Sequence, residues 1–126
     1  MEYSNLTPER ATRLCAAALS ERGFDLNRVG EMSVAVVSSE TIRRLNHEFR
    51  DNGRPTDVLS FEVDGPYGEM VGEIVVCPDA AEMGVGELVV HGTLHLAGMD
   101  HGDDFEDSEM SRVQENVMEK VRGPEG

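Results

Sequence analysis

The sequence contains no tryptophan and only two cysteines. It also lacks any apolar run approaching the roughly 20 residues of a membrane-spanning helix, and its N-terminus lacks the basic start and apolar stretch of a secretory signal. Cys15 and Cys77 lie far apart and belong to no CxxC pair, so they cannot form a zinc knuckle. We therefore predict a cytoplasmic protein without membrane association, whose two cysteines are buried, reduced thiols.

Basic residues are scarce in the second half of the chain. The formal charge is −14, yet residues 1–54 hold equal numbers of acids and arginines, so the whole surplus lies in residues 55–126. Such a surface repels polyanions at long range and disfavours nonspecific nucleic-acid binding, although adaptation to a salty cytoplasm would explain it equally well. If the chain contacts phosphate, it does so through its one concentration of positive charge, which comprises Arg43, Arg44, Arg50 and Arg54.

The length and the apolar content predict a single domain spanning residues 1–126. A chain of 126 residues with 39% apolar residues can bury a core without disulfides. Thr7 and Pro8 form a helix start, and Gly23 a helix stop. Further patterns predict a strand at 32–38, a helix capped by Ser38 or Ser39, hairpin strands at 58–63 and 70–77, a helix at 87–97, and a last helix starting near Asp104 or Asp107. We predict an α+β fold, with helices packed around a small mixed sheet of about three or four strands.

Three of the four histidines fall within the segment HGTLHLAGMDH. His91 and His95 are four residues apart, so a helix places both on one face, and Gly98 can end that helix and bring His101 to the same point. Three imidazoles leave a fourth position open, which is the pattern of catalytic zinc. The sequence predicts one zinc ion per chain on a central helix and its following loop, although nickel or another divalent metal would also suit. His47 stands alone, and we expect it not to be a ligand.

The same histidine spacing occurs in the metzincin proteases, which require a glutamate directly after the first histidine as general base. In this chain that position is Gly92. Glycine cannot move a proton, and the missing general base is worth about 10²–10⁴-fold in rate. Peptide hydrolysis is therefore disfavoured.

Two long motifs resemble those of the YbeY family of metal-dependent endoribonucleases, which act in maturation of ribosomal RNA. HGTLHLAGMDH resembles the family pattern HGxLHLxGxDH, and LNHEFRDNGRPTDVLSF at residues 45–61 resembles LNxxYRxxxxPTDVLSF. GEIVVC at 72–77 and the EMxxxQE pattern at 109–115 extend the similarity over most of residues 32–121. The chain departs from the family in a short N-terminus and a shortened segment before His91.

The resemblance implies zinc ligation by His91, His95 and His101 and a catalytic role for Arg50, whose guanidinium would offset charge on the phosphate. Arg50 equally fits a cation at a helix end. Asp100 would orient an imidazole or else cap the turn. Substrate contacts would come from Arg43, Arg44, Arg54, Thr56, Asp57 and Ser60. Asn46 also lies at a position that matches the family motif. Thr56 and Asp57 equally fit a loop-to-strand junction.

The implied function is hydrolysis of phosphodiester bonds in single-stranded RNA during rRNA maturation and ribosome quality control. Ribosomal RNA, the small ribosomal subunit, and ribosomal or GTPase proteins are the implied partners. One alternative is a non-catalytic ribosome-assembly factor with a structural metal, and another is a metallohydrolase of small substrates. Because the protein is so acidic, we expect weak, salt-sensitive RNA binding by the isolated chain, with the ribosome supplying much of the docking.

Overall fold

A computed structural model describes residues 7–50, 57–78, 84–99 and 108–122. Within these ranges the chain forms four α-helices and one three-stranded sheet, which confirms the predicted α+β class. No helix among the described residues is both long and apolar enough to cross a bilayer. The elements are α1 (Pro8–Glu21), β1 (Val29–Val36), α2 (Ser39–Arg50), β2 (Val58–Asp64), β3 (Met70–Val76), α3 (Val85–Leu96) and α4 (Glu109–Arg122).

The start and end of α1 follow the predicted capping residues. The Thr7 hydroxyl accepts a hydrogen bond from the Arg10 backbone N–H at 3.1 Å, and Pro8 occupies the first helical turn, where no intrahelical N–H is needed. Gly23 takes a φ of 85°, a left-handed conformation that L-residues avoid. Both ends are therefore fixed by local sequence.

The sheet has the order β1-β3-β2 and is mixed. β2 and β3 form the predicted antiparallel hairpin, in which Val58 pairs with Val76, while β1 lies parallel to β3. In β3, Ile74 and Val76 belong to a core shared with α1, α3 and α4, whereas Val75 and Cys77, the residue after the strand, belong to a second core with Ile42 of α2. Since successive side chains of a strand point to opposite faces, α2 covers one face of the sheet and the other three helices cover the opposite one.

Helix α3 is the central helix of the larger core. It packs against α1, α4, β2 and β3, and nine of its twelve residues are buried. A helix that is apolar around most of its circumference is expected to be enclosed in this way. The histidines of α3 are therefore carried by the most firmly enclosed helix of the described structure.

Several element boundaries differ from the predictions, and β1 begins at Val29, three residues before the predicted start at residue 32. β1 ends at Val36 rather than at residue 38, because the Ser38 hydroxyl caps α2 by accepting from the Thr41 N–H at 3.2 Å. α3 begins at Val85, two residues earlier than predicted, because the Glu87 carboxylate accepts from the Gly84 N–H at 3.1 Å and completes a cap there.

The last helix begins at Glu109 rather than near Asp104 or Asp107. The Ser108 hydroxyl accepts a hydrogen bond from the Ser111 N–H at 3.1 Å and so acts as its cap. Asp104 and Asp107, the predicted starting points of this helix, lie outside the described residues.

Both cysteines are buried and unbridged, as predicted. Burial raises the pKa of the Cys15 thiol, and a hydrogen bond from the Thr93 hydroxyl, at 3.5 Å, lowers it in part. A buried thiol of raised pKa is a poor nucleophile, so Cys15 belongs to the core rather than to any chemistry.

Candidate metal centre

His91 and His95 project from the same side of α3, one turn apart. Their ring centroids are 4.8 Å apart with an interplanar angle of 73°, and their Nε2 atoms approach to 3.2 Å. His91 is only 4% exposed, whereas His95 is half-buried. The predicted pairing of these two side chains is present in the structure.

The other ring nitrogen of each histidine faces an oxygen atom. His91 Nδ1 lies 3.0 Å from Oε1 of Gln114, and His95 Nδ1 lies 3.1 Å from the backbone carbonyl oxygen of Met99. Because these oxygens only accept, the hydrogen-bond network assigns the proton of each neutral ring to Nδ1. Each Nε2 then carries the lone pair, and the two Nε2 atoms lie 3.2 Å apart.

This arrangement fits a bound cation. With both protons on Nδ1, two Nε2 atoms 3.2 Å apart can act together as ligands of one cation. Two nitrogen ligands at about 2.0–2.1 Å from a tetrahedral zinc ion stand roughly 3.3–3.4 Å apart. The donor chemistry and the spacing therefore both suit zinc or a similar divalent metal.

The third predicted ligand, His101, lies outside the described residues, as does Asp100. Across the described ranges, no group of three or more histidine, cysteine or acidic side chains gathers at one point. The histidine pair is thus the part of the predicted metal site whose geometry can be described.

The end of α3 is shaped by Gly98, which has a φ of 97°. The chain reverses there, and the Met99 N–H bonds back to the carbonyl of Leu94 at 3.0 Å. This reversal also directs the Met99 carbonyl at the ring of His95. The glycine that ends the helix therefore also helps to orient one of the two histidines.

Gly92 packs against the sheet instead of opening towards solvent. A Cβ atom at this position would lie 2.6 Å from Ile74 Cγ2 and 2.9 Å from Val58 Cγ2. The Ser60 hydroxyl donates a hydrogen bond to the Gly92 carbonyl at 2.8 Å, which ties β2 to α3. A glutamate could not occupy this position without displacing the sheet, which gives a steric reason for the missing protease base.

The remaining predicted site residues lie elsewhere or outside the described ranges. Arg43 and Arg44 are exposed on α2, on the opposite face of the sheet from α3, and Arg50 is the last residue of α2. Asp57 directly precedes β2, and its carbonyl accepts from the Cys77 N–H at 2.8 Å. Asn46 is buried and His47 is exposed on α2. Arg54 and Thr56 fall outside the described residues.

Gln114 was not among the site residues predicted from the sequence. It is buried on α4, 4% exposed, and separated from His91 by 23 positions. The only sequence signal was its place in the EMxxxQE pattern, which carried no indication of a partner. Its contact with His91 depends on how α4 packs on α3.

Comparisons of this chain with a family profile and with individual proteins point to the same family. The family profile described as Endoribonuclease YbeY matches residues 2–122. A protein named Endoribonuclease YbeY from Rubrobacter xylanophilus is 68% identical over 120 residues, covering 95% of this chain and 89% of that protein. One of the same name from Pseudomonas putida is 35% identical over 136 residues, covering 94% and 84%. A solution structure of a Thermotoga maritima protein aligns with a TM-score of 0.45 and 29% identity, covering 91% and 83%.

Proposed function

Because the chain belongs to the Endoribonuclease YbeY family, and is accordingly a nuclease that hydrolyses RNA, we propose that it cleaves single-stranded ribosomal RNA with a divalent metal held by His91, His95 and His101. Zinc is the proposed ion, one per chain. The observation that carries the proposal is the pair of Nε2 atoms 3.2 Å apart, each belonging to a ring whose Nδ1 faces an oxygen.

When bound, the metal would make water acidic enough to supply the nucleophile at neutral pH and would polarise a phosphoryl oxygen. Hydrolysis then joins a water oxygen to phosphorus and breaks the bond to the leaving ribose oxygen, which takes up a proton. The two imidazoles supply neutral donors at Nε2, and their Nδ1 contacts hold each ring in place. Since α3 is buried along most of its length, it provides a rigid support for them.

Arg50 is proposed to neutralise the charge that gathers on the phosphate oxygens as the bond breaks. A planar guanidinium offers several donors to such oxygens at once. Gly92 leaves α3 without a carboxylate beside the first histidine, so either hydroxide supplied by the metal suffices or a carboxylate of another segment assists. Asp57 and Asp100 are the proposed candidates.

The proposed setting is maturation of ribosomal RNA and ribosome quality control. The strong acidity of the chain favours a substrate presented by the small ribosomal subunit over free RNA, because the net charge of −14 opposes long-range attraction of a polyanion. Ribosomal proteins or a GTPase are proposed as further partners. Arg43 and Arg44, which are exposed on α2 and lie near Arg50 in the sequence, are proposed to contact the phosphates.

The test is cleavage of ribosomal precursor RNA by the purified protein, compared with a chelated sample and with Arg50→Ala and His95→Ala. We expect metal-dependent cutting that is lost in His95→Ala and reduced about 10²- to 10³-fold in Arg50→Ala. Arg13→Ala, which removes an exposed arginine from α1, is the matched control and should cut at the wild-type rate. Circular dichroism verifies that each variant is folded.

Two outcomes would contradict the proposal. Unfolding on chelation without any RNA cutting by the native protein would instead support an assembly factor with a structural metal. Turnover of simple phosphodiesters without cutting of RNA would support a metallohydrolase of small substrates.

A further inference from the structure

We propose that Gln114 is a positioning residue that fixes the proton of His91 on Nδ1 and thereby aims its Nε2 at the metal. The proposal rests on the metal site proposed above. Its direct basis is the 3.0 Å contact between Gln114 Oε1 and His91 Nδ1, both on buried side chains.

The position of Gln114 on α4 argues against a purely packing role. Its neighbours on the inward face of this helix are apolar and occupy helical spacing: Met110, Val113, Val117 and Val121. An amide in such a stripe must lose its hydration, which costs free energy unless its polar atoms are bonded. An apolar side chain would fill this place without that cost, and the contact of the amide oxygen with His91 Nδ1 is what such a side chain could not provide.

The acceptor matters because a neutral imidazole has two tautomers. With the proton on Nδ1, the Nε2 lone pair is available for a metal; with the proton on Nε2, it is not. His95 receives its acceptor from the backbone carbonyl of Met99, which does not depend on the side chain of residue 99. The contact that orients His91 comes from a side chain, so this half of the pair depends on the identity of residue 114.

Two variants separate the acceptor from the bulk of the side chain. Gln114→Glu keeps an oxygen facing Nδ1, whereas Gln114→Met keeps similar length and helix propensity without a strong acceptor. We expect Gln114→Met to bind zinc or cobalt roughly 10- to 100-fold more weakly than wild type, as is typical when the partner of a metal-binding histidine is lost. Gln114→Glu should stay within about 3-fold of wild type or bind more tightly, since a carboxylate is a stronger acceptor.

Thr93→Val is the matched control on α3. Thr93 is fully buried, and its hydroxyl bonds to the Val89 carbonyl at 2.8 Å and to Cys15. Removing this hydroxyl should lower the stability of the metal-free protein and leave metal affinity unchanged. The control therefore shows how the loss of a buried hydrogen bond that does not involve a histidine affects stability and metal affinity.

A second measurement is independent of the metal. Long-range proton–nitrogen NMR spectra of the metal-free protein, at a pH where the imidazoles are neutral, report the tautomer of each ring. We expect the Nδ1–H form for His91 in the wild type, and a loss of that form in Gln114→Met.

Several results would overturn the proposal. These are wild-type metal affinity in Gln114→Met, equal loss of affinity in Gln114→Met and Gln114→Glu, or an Nε2–H tautomer at His91 in the wild-type spectrum. Failure of the wild type to bind any divalent metal would overturn the proposed function. The NMR spectrum would then still decide whether Gln114 sets the tautomer of His91.

Discussion

Gly92 is a point of close approach between helix α3 and the sheet. The side chains that a Cβ atom there would meet, Ile74 and Val58, are both β-branched, and their Cγ2 methyls lie 2.6 and 2.9 Å from the Cβ position. β-Branched side chains cannot rotate away easily, so the helix or the strands would have to shift. The absence of a Cβ atom at Gly92 therefore allows the histidine-bearing helix to lie this close to the hairpin.

We expect Gly92→Ala to lower the free energy of unfolding by up to about 2 kcal/mol. Overpacking costs about 1–3 kcal/mol, and the better helix propensity of alanine returns about 1 kcal/mol. Urea denaturation monitored by circular dichroism measures the change. The matched control is Gly86→Ala in the same helix, where the nearest atom to the new Cβ is the flexible end of Arg10 at 3.1 Å. Equal stability of the two variants would show that the sheet contact at Gly92 is not tight.

The sequence predicted the contacts of some site residues but not of others. The pairing of His91 with His95 followed from helical periodicity, because both residues lie on one helix. The contact of Gln114 with His91 could not be predicted in this way, since it joins two helices across 23 positions. Gly92 was recognised for the chemistry that it lacks, whereas its packing role required the position of the hairpin.

At the scale of elements, the C-terminus of α3 links helix termination to the metal centre. Gly98 has a φ of 97°, and a Cβ there would meet nothing within 4 Å, so the requirement for glycine is one of backbone conformation. The chain reversal that it permits directs the Met99 carbonyl at His95 Nδ1. Any substitution that relaxes this φ should therefore move the carbonyl away from the ring.

We expect Gly98→Ala to cost about 1–2 kcal/mol of stability and also to weaken zinc binding. Gly23→Ala is the matched control, because Gly23 ends α1 with a φ of 85° and equally open surroundings. It should lose similar stability while binding zinc like the wild type. Urea titrations and zinc competition assays give the two quantities. If both variants kept wild-type zinc affinity, the Met99 carbonyl would have no part in orienting His95.

Helices and strands were predicted where local chemistry determines them, as at Thr7 and Gly23 or in the hairpin. Their boundaries shifted where two signals competed. Ser38 fits both a strand end and a helix cap, and its hydroxyl is used as the cap, which ends β1 earlier. The start of α3 was missed because its cap is formed by the backbone of Gly84 with Glu87, without a capping side chain at the first position.

At the scale of the whole molecule, the order of the strands could not be derived from their patterns. β3 lies in the middle and pairs parallel to β1 and antiparallel to β2. Burial on both faces of β3 is consistent with its central place, yet the sequence of β1 is nearly as apolar. This order nevertheless decides the geometry of the site, since β2 becomes the edge strand that contacts both α2 and α3. An RNA strand in contact with both the exposed Arg43 and Arg44 and the histidine pair would have to pass from one face of the sheet to the other.

The charge distribution limits how strongly the isolated protein can hold RNA. Each phosphate contact with single-stranded nucleic acid contributes about 0.7 to the slope of log affinity against log salt concentration. The arginine cluster at positions 43, 44, 50 and 54 can supply at most four such contacts, so the slope should not exceed about 3. Acidic residues elsewhere on the chain add repulsion that salt also screens, which reduces the slope further.

We therefore expect weak binding of single-stranded RNA, with a modest salt slope that falls by about 0.7 in Arg43→Ala. Arg43 is exposed on α2, and Arg13, equally exposed on α1, serves as the control whose removal should leave the slope unchanged. Fluorescence anisotropy over a salt series measures both quantities. Nanomolar affinity in moderate salt would contradict the expectation, because it would require phosphate contacts well beyond this cluster. Weak binding with the predicted slope would instead mean that a partner surface, such as the ribosomal subunit, supplies most of the docking free energy.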